Sequence, residues 1–369
     1  MRLVFSSIDT WFFRDGTPFD SDGPQSGVTG VFPPYPPTVA GAVRAAFARR
    51  NGWDGQSRWS GDLARSLGDG PDDLGALVLT GPFVLHEEKP IFPMPRHVVG
   101  SHDATRWVPR ALLRPGGDRV ECDLGRAARL PALPATTSTP TSAKAASDSW
   151  VTAEGLARIV RGDLPETSEI RDSRDLWSTE PRIGIERTEA RVTKDGALYS
   201  SRHVRPRPSV EIAVDVDGAP PSFVVPDGDI VPFGGESRCA ECQVRAATPE
   251  LRFDPEAERA THVALIALTP LLVDRSALRG EAPIGSHGLR VVSACIDRAV
   301  RIAGYDSVQR RPVGARNAVG PGGVLFCEVE DAEAWRRSSG RGLARIGERT
   351  NAGFGMCAIG RAPDWETLT

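Results

Sequence analysis

A mixed α+β fold in two domains is what this 369-residue sequence predicts, and three observations lead there. The length exceeds what one ordinary core fills. The N-terminal part reads in order as strand, capped helix and strand pair. The C-terminal part is again strand-rich and ends on a short helix followed by a glycine-bearing loop. With 40% hydrophobic and 25% charged residues, the composition is that of a globular protein.

Residues 3–13 alternate loosely and end in Trp11-Phe12-Phe13, a strand stopped by the turn Arg14-Asp15-Gly16. A loop rich in glycine and proline follows from Asp22 to Pro37. Thr38 then offers a cap to a helix whose Val39, Ala42, Val43, Ala46 and Phe47 share one face, closing at Asn51-Gly52. Arg44 and Arg49 lie off that face. Ala76–Leu85 reads as a second strand and Pro90–Val99 as its proline-interrupted return, which together suit a ferredoxin-like βαββ half.

Between Pro131 and Ser149 the sequence is low in complexity and nearly uncharged, which predicts a mobile connection. Order resumes at Trp150, with Thr152 opening a short helix. Arg182 to Arg207 forms a basic segment, with Asp195-Gly196 as a hairpin turn signal at its centre. So polar a hairpin has little to bury, so its task lies outside the core. Strands at Val210–Val216, His262–Leu272, Gly288–Arg298 and Gly323–Glu330, and a helix near Ala332–Arg337, complete a second ferredoxin-like domain with long insertions. The expected division is 1–130, a connection at 131–149, a helix and basic hairpin at 150–209, and a C-terminal domain at 210–369.

The stretch Arg345–Gly360 has Gly353, Gly355 and Gly360 in a G-x-G-x4-G spacing, with apolar Met356, Ala358 and Ile359 beginning a buried strand. Glycines allow positive φ and a close approach of peptide N–H groups to a ligand, so such a loop can cradle phosphates. Five arginines against the single acid Glu348 between Arg336 and Arg349 suit a polyanion. The plain alternative is a hairpin whose glycines serve a bulge.

The net charge of −3 argues against a generally basic coat, so any nucleic-acid contact comes from local patches. Six scattered cysteines do not form a disulfide framework. No apolar run approaches a membrane span and no signal-peptide pattern opens the chain, so a cytoplasmic protein without membrane attachment is expected. Cys239-x-x-Cys242 lacks a second pair, and no metal site or cofactor is expected. Asp9, Asp15, Asp20 and Asp22 read as turn residues.

Phe12-Phe13-Arg14-Asp15-Gly16-x-Pro18-Phe19, Thr38-Val39-Ala40-Gly41-Ala42-Val43-Arg44, Gly81-Pro82-Phe83 and Phe92-Pro93-Met94-Pro95 recur in one known family. So do Glu180-Pro181-Arg182-Ile183-Gly184-Ile185, Gly196-x-Leu198-Tyr199, Gly234-Gly235-Glu236 and the Gly353-to-Gly360 loop. In order and spacing the chain resembles the third-subunit family of the Cmr complex, the type III-B CRISPR effector. That resemblance implies two ferredoxin-like, RRM-related domains of the RAMP superfamily. It further implies a place beside the large polymerase-domain subunit and the backbone RAMP subunits, and a grip on the 5′ repeat-derived tag of the crRNA. No cleavage role of its own is implied, and target RNA would be met indirectly. The 131–149 insertion and the Cys239/Cys242 pair depart from typical members.

The hairpin supplies the first candidates for RNA contact. Arg182, Arg187, Arg191, Lys194, Arg202 and Arg205 offer phosphate partners, and Tyr199 and His203 offer flat faces for a base. Arg14 and Arg44 come next, and in the glycine loop Gly353, Phe354, Gly355, Arg349 and Thr350. A solvated charged surface is the competing reading of the hairpin, and a core position that of Phe354. Two other functions stay open: a metal-independent endoribonuclease using His203 as general base with Tyr199 nearby, and a purely structural assembly subunit.

Overall fold

The computed structural model describes residues 1–14, 16, 30–103, 106–122, 125–134, 142–246, 251–306 and 311–362, with backbone alone at 122, 125–127, 186, 193–199 and 255. It is a mixed fold of mostly antiparallel sheets with few helices, divided into two units. The first comprises Met1–Glu88, Arg174–Ala247 and Arg301–Arg316, and the second Lys89–Ser173, Thr248–Val300 and Asn317–Thr369.

In the first unit the strands lie in the order Val78–His86, Val210–Asp217, Arg2–Ser7, Cys239–Arg245 and Asp229–Pro232, each antiparallel to its neighbour. The two units follow another division than the one expected at 130, 149 and 209. Arg2–Ser7 is fully buried at Leu3, Val4 and Phe5 and needs a partner on each side, and both partners come from beyond residue 209. The helix Pro36–Arg50 buries Val39, Ala42, Val43, Ala46 and Phe47, the face expected, and ends at Asn51. It begins ahead of Thr38, because prolines fit the first turn, where amide donors have no intrahelical partner.

The basic hairpin pairs Trp177–Arg187 with Thr193–Pro206. It reverses at residues 188–192, where Thr188 N–H bonds the Val192 carbonyl at 2.9 Å and Arg191 takes φ +61°. The Asp195-Gly196 signal is not used as the turn and lies within the second strand. The root decides this. Trp11 and Val204 exchange two backbone hydrogen bonds of 2.8 Å, and Trp177 pairs Pro206, so the register fixed there puts the reversal near Arg191.

In the second unit Leu289–Cys295, Val324–Val329, His262–Ala267 and Met356–Arg361 lie in that order, followed by Leu343–Arg345 and Ser339–Gly340. Val263, Leu265, Leu325, Trp335, Ile346 and Ile359 build its core. The helix Ala153–Arg161 is capped as expected, Thr152 Oγ1 accepting the Gly155 N–H at 3.2 Å. It packs on Met356–Arg361, with the Val160 Cα at contact distance, 3.4 Å, from where a Cβ at Gly360 would stand. Of the connection expected to be mobile, 135–141 lies outside the described residues, while Lys144–Ala145 pairs with Val98–Asp103. No helix among the described residues is long and apolar enough to cross a membrane.

Candidate nucleic-acid interface

The root of the hairpin is held first by aromatic packing. The Phe233 ring stacks on Phe5 at 4.7 Å and meets Trp11 and Phe13 edge-on, while Phe32 lies between Trp11 and Trp177 at 6.2 and 4.6 Å. Gly234 follows because the Phe12 carbonyl comes too close for a side chain there. Gly234 sits at φ +94° with that oxygen 2.6 Å from where a Cβ would be, and the Gly235 amide donates to it at 2.8 Å.

On this base stands a network of charges. Asp9 accepts from Arg182 at 2.8 Å, Arg205 at 2.9 Å and Arg238 at 3.3 Å, and Glu180 accepts from Arg182 and Arg205. Arg182 and then Arg205 hold the Asp9 carboxyl below its ordinary range, and Arg205 and then Arg182 do the same for Glu180. His203, opposite Glu180, is buried. It stacks on Phe12 at 5.0 Å, with its Nδ1 3.1 Å from the Thr10 hydroxyl. Burial, with Arg182 and Arg238 nearby, lowers its pKa.

The glycine loop of the second unit turns its amides inward. The Gly353 N–H bonds the Thr350 carbonyl at 3.4 Å, and Gly355 N–H bonds the Pro270 carbonyl at 2.9 Å. The Ile346 N–H returns to the Gly355 carbonyl at 2.8 Å, and Gly347 N–H donates to His287 Nε2 at 3.2 Å. Phe354 is core, with the Arg349 guanidinium 5.5 Å over its ring.

Residues from three of the shared motifs, Phe12 and Phe13, Glu180 and Arg182, and Gly234 and Gly235, thus meet at one place, the hairpin root. The family model described as CRISPR-associated protein (Cas_Cmr3) matches residues 3–362, nearly the whole chain. The chain belongs to the Cmr3 family. No curated protein matches this Cmr3-family chain. Among solved structures, it is similar to a chain of the type III-B Cmr-beta complex bound to cognate target RNA and AMPPnP. There it is 17% identical with a TM-score of 0.50, covering 88% of this chain and 86% of that one. A chain of the same complex bound to cognate target RNA alone is 16% identical with a TM-score of 0.51, at the same coverage. Likeness at this identity speaks for the fold.

With the family known, each expected contact residue takes a position. Arg187, Arg191 and Arg202 are exposed on the Cmr3 hairpin, while Arg182 and Arg205 are tied into the root network. The register puts Arg202 on the face with Ile183 and Ile185, and Arg182, His203 and Arg205 on the other. The side chains of Lys194 and Tyr199 lie outside the described residues.

Three expectations change. His203 offers no stacking face to a base, because Phe12 covers it and the residue is 2% exposed. Arg44 is not a surface arginine. It is buried, and its guanidinium donates to the carbonyls of Gly68 at 2.8 Å and Gly70 at 2.9 Å beside the Trp59 ring. The amides of Gly353 and Gly355 are used within the protein, so the loop's potential donors narrow toward Arg349 and Thr350. Arg14 is exposed. Cys242 is buried with its thiol pushed up to about 12 by burial, and lies an odd spacing from Cys239 on one strand, on opposite faces.

Sequence reading missed Asp9, Glu180 and Arg238 as members of the root network. No local spacing carries them, since Asp9 lies 173 residues from Arg182 and 229 from Arg238. The only trace was that Glu180 and the Gly234-Gly235-Glu236 run stand among the motifs shared with the family.

Proposed function

We propose that this chain is a non-catalytic RNA-binding subunit of a type III-B CRISPR effector, serving antiviral defence in the cytoplasm. It anchors the 5′ repeat-derived tag of the crRNA and docks on the large polymerase-domain subunit beside the backbone RAMP subunits. The observation that carries the reading is the family match over residues 3–362, joined to a hairpin that is rigid at its root and rich in exposed arginine beyond it. Arginine forks suit phosphate, and a pinned root lowers the cost of ordering the hairpin on RNA. The similar chains come from a complex bound to cognate target RNA.

Two ferredoxin-like domains are part of this reading. In each unit four strands taken by chain position lie in the order second, third, first, fourth, all antiparallel, as in a βαββαβ sheet. The first unit departs from the motif among the described residues, because no helix joins Val210–Asp217 to Cys239–Arg245.

The test is retention of a tag-bearing guide RNA by the reconstituted complex across a salt titration. Arg202→Glu and Arg187→Glu are expected to weaken retention and reduce its salt dependence, each contact contributing about 0.7 to the log–log slope. Retention equal to wild type at every salt concentration would remove the hairpin from the interface. For the catalytic alternative, the burial of His203 favours the non-catalytic reading. His203→Ala should leave any RNA cleavage unchanged, whereas a drop of orders of magnitude would restore the general base.

A further inference from the structure

The first unit carries a second ribbon besides the basic hairpin. Val300–Asp306 and Arg311–Ala318 form a two-stranded sheet of their own. Between residues 300 and 317 there are four arginines, Arg301, Arg310, Arg311 and Arg316, against the single acid Asp306. A two-stranded ribbon is marginal alone in water and needs one packed face. Here Ile302 provides it, 4% exposed, and Gly304 on the same face lies against Val313.

Strand alternation then turns Arg301 and Tyr305 to the other face. Tyr305 is 64% exposed, and Arg301 is exposed as well. The ribbon is fixed where it meets the N-terminal segment: the Gly16 amide donates to the Arg301 carbonyl at 3.0 Å, and a Cβ at Gly16 would fall 2.8 Å from the Arg301 Cγ. An outward tyrosine on a pinned, cationic ribbon has the parts of a single-strand platform: a flat face for a base and, in Arg301, a guanidinium group for a flanking phosphate.

We propose that the 300–318 ribbon is a second RNA-contact element, on which an unpaired nucleotide stacks against Tyr305 while Arg301 holds a flanking phosphate. This rests on the reading of the chain as an RNA-binding subunit. It adds a contact separate from the basic hairpin, and the unpaired nucleotide belongs either to the guide or to the target strand.

The experiment uses the full chain in the reconstituted complex. Ultraviolet crosslinking and mass spectrometry are run with a labelled tag-bearing guide RNA in one arm. In the other, a labelled target strand is added to the guide-loaded complex. A crosslink at Tyr305 in either arm is expected and tells which strand lies there. Tyr305→Ala should weaken binding of that strand about tenfold while Tyr305→Phe, which keeps the ring, binds as wild type. Arg301→Gln should lower the salt slope by about 0.7. A complex that crosslinks through the basic hairpin, never at Tyr305, and binds both RNAs equally with Tyr305→Ala would overturn this inference alone. A complex with no crosslink from this chain to either strand would overturn the RNA-binding reading with it. Loss of a partner subunit from Tyr305→Ala complexes, with RNA affinity unchanged in what remains, would make the ribbon a protein contact and likewise overturn it.

Discussion

Replacing Gly355 by alanine separates a structural glycine from a phosphate-binding one. Gly355 sits at φ +68°, where an L side chain costs about 1–2 kcal/mol. A Cβ there would fall 1.8 Å from the Ile346 carbonyl oxygen, and backbone cannot rotate aside as a flexible side chain can. Relief requires the strands to part, which endangers the Ile346-to-Gly355 and Gly355-to-Pro270 hydrogen bonds, each worth about 0.5–1.5 kcal/mol. The sum is about 2–5 kcal/mol, a factor of about 30 to several thousand in the opening equilibrium at 1.4 kcal/mol per tenfold. Because the chain has two units, hydrogen exchange within His262–Ala267 and Met356–Arg361 is a better readout than a global melt. Gly355→Ala should speed exchange there at least 30-fold. Gly340→Ala, with open space at its Cβ position, should change it less than threefold. Near-wild-type protection in Gly355→Ala combined with lost guide RNA would refute the reasoning and return the loop to a phosphate cradle.

Four further outcomes follow from the same geometry. Arg44→Leu strands the carbonyls of Gly68 and Gly70 and should destabilise the first unit by about 2–4 kcal/mol in urea denaturation, while leaving the salt slope of RNA binding unchanged. Gly41→Ala, in an exposed helix position with nothing within 4 Å, should stabilise the helix Pro36–Arg50 by about 0.5–1 kcal/mol, read as slower exchange of its amides. Asp9→Asn should speed exchange of the Trp11 and Val204 amides several-fold, an effect that shrinks in high salt. The wild type should lose the same protection in acid. Asp9 and Glu180 are held below their ordinary 3.8 and 4.5, so their contribution is complete above those values and disappears as pH falls through the lowered ones.

Much of the architecture could be read from local patterns. The buried face of the first helix, the Thr152 cap, the strands at Val210 and His262 and the hairpin itself are written in spacings of a few residues, and the structure has all of them. The site was legible only in part. Arg187, Arg191 and Arg202 stand in the open as a polar hairpin suggests. Arg44, by contrast, looks like a surface residue on a helical wheel and is enclosed by the 68–70 turn, which no helix periodicity describes.

Local spacing was enough for helices, strands and caps, because the forces that make them act between residues one to four positions apart. Which strands share a sheet, where the basic hairpin reverses, and which arginines face solvent depended on partners far along the chain. Arg2–Ser7 pairs with strands beyond residue 209, and the Trp11–Val204 bridge outweighs the turn preference of Asp195-Gly196. Burying the aromatic cluster at the root stabilises one register of the whole hairpin, and a two-residue turn preference of about 1 kcal/mol cannot compete with it.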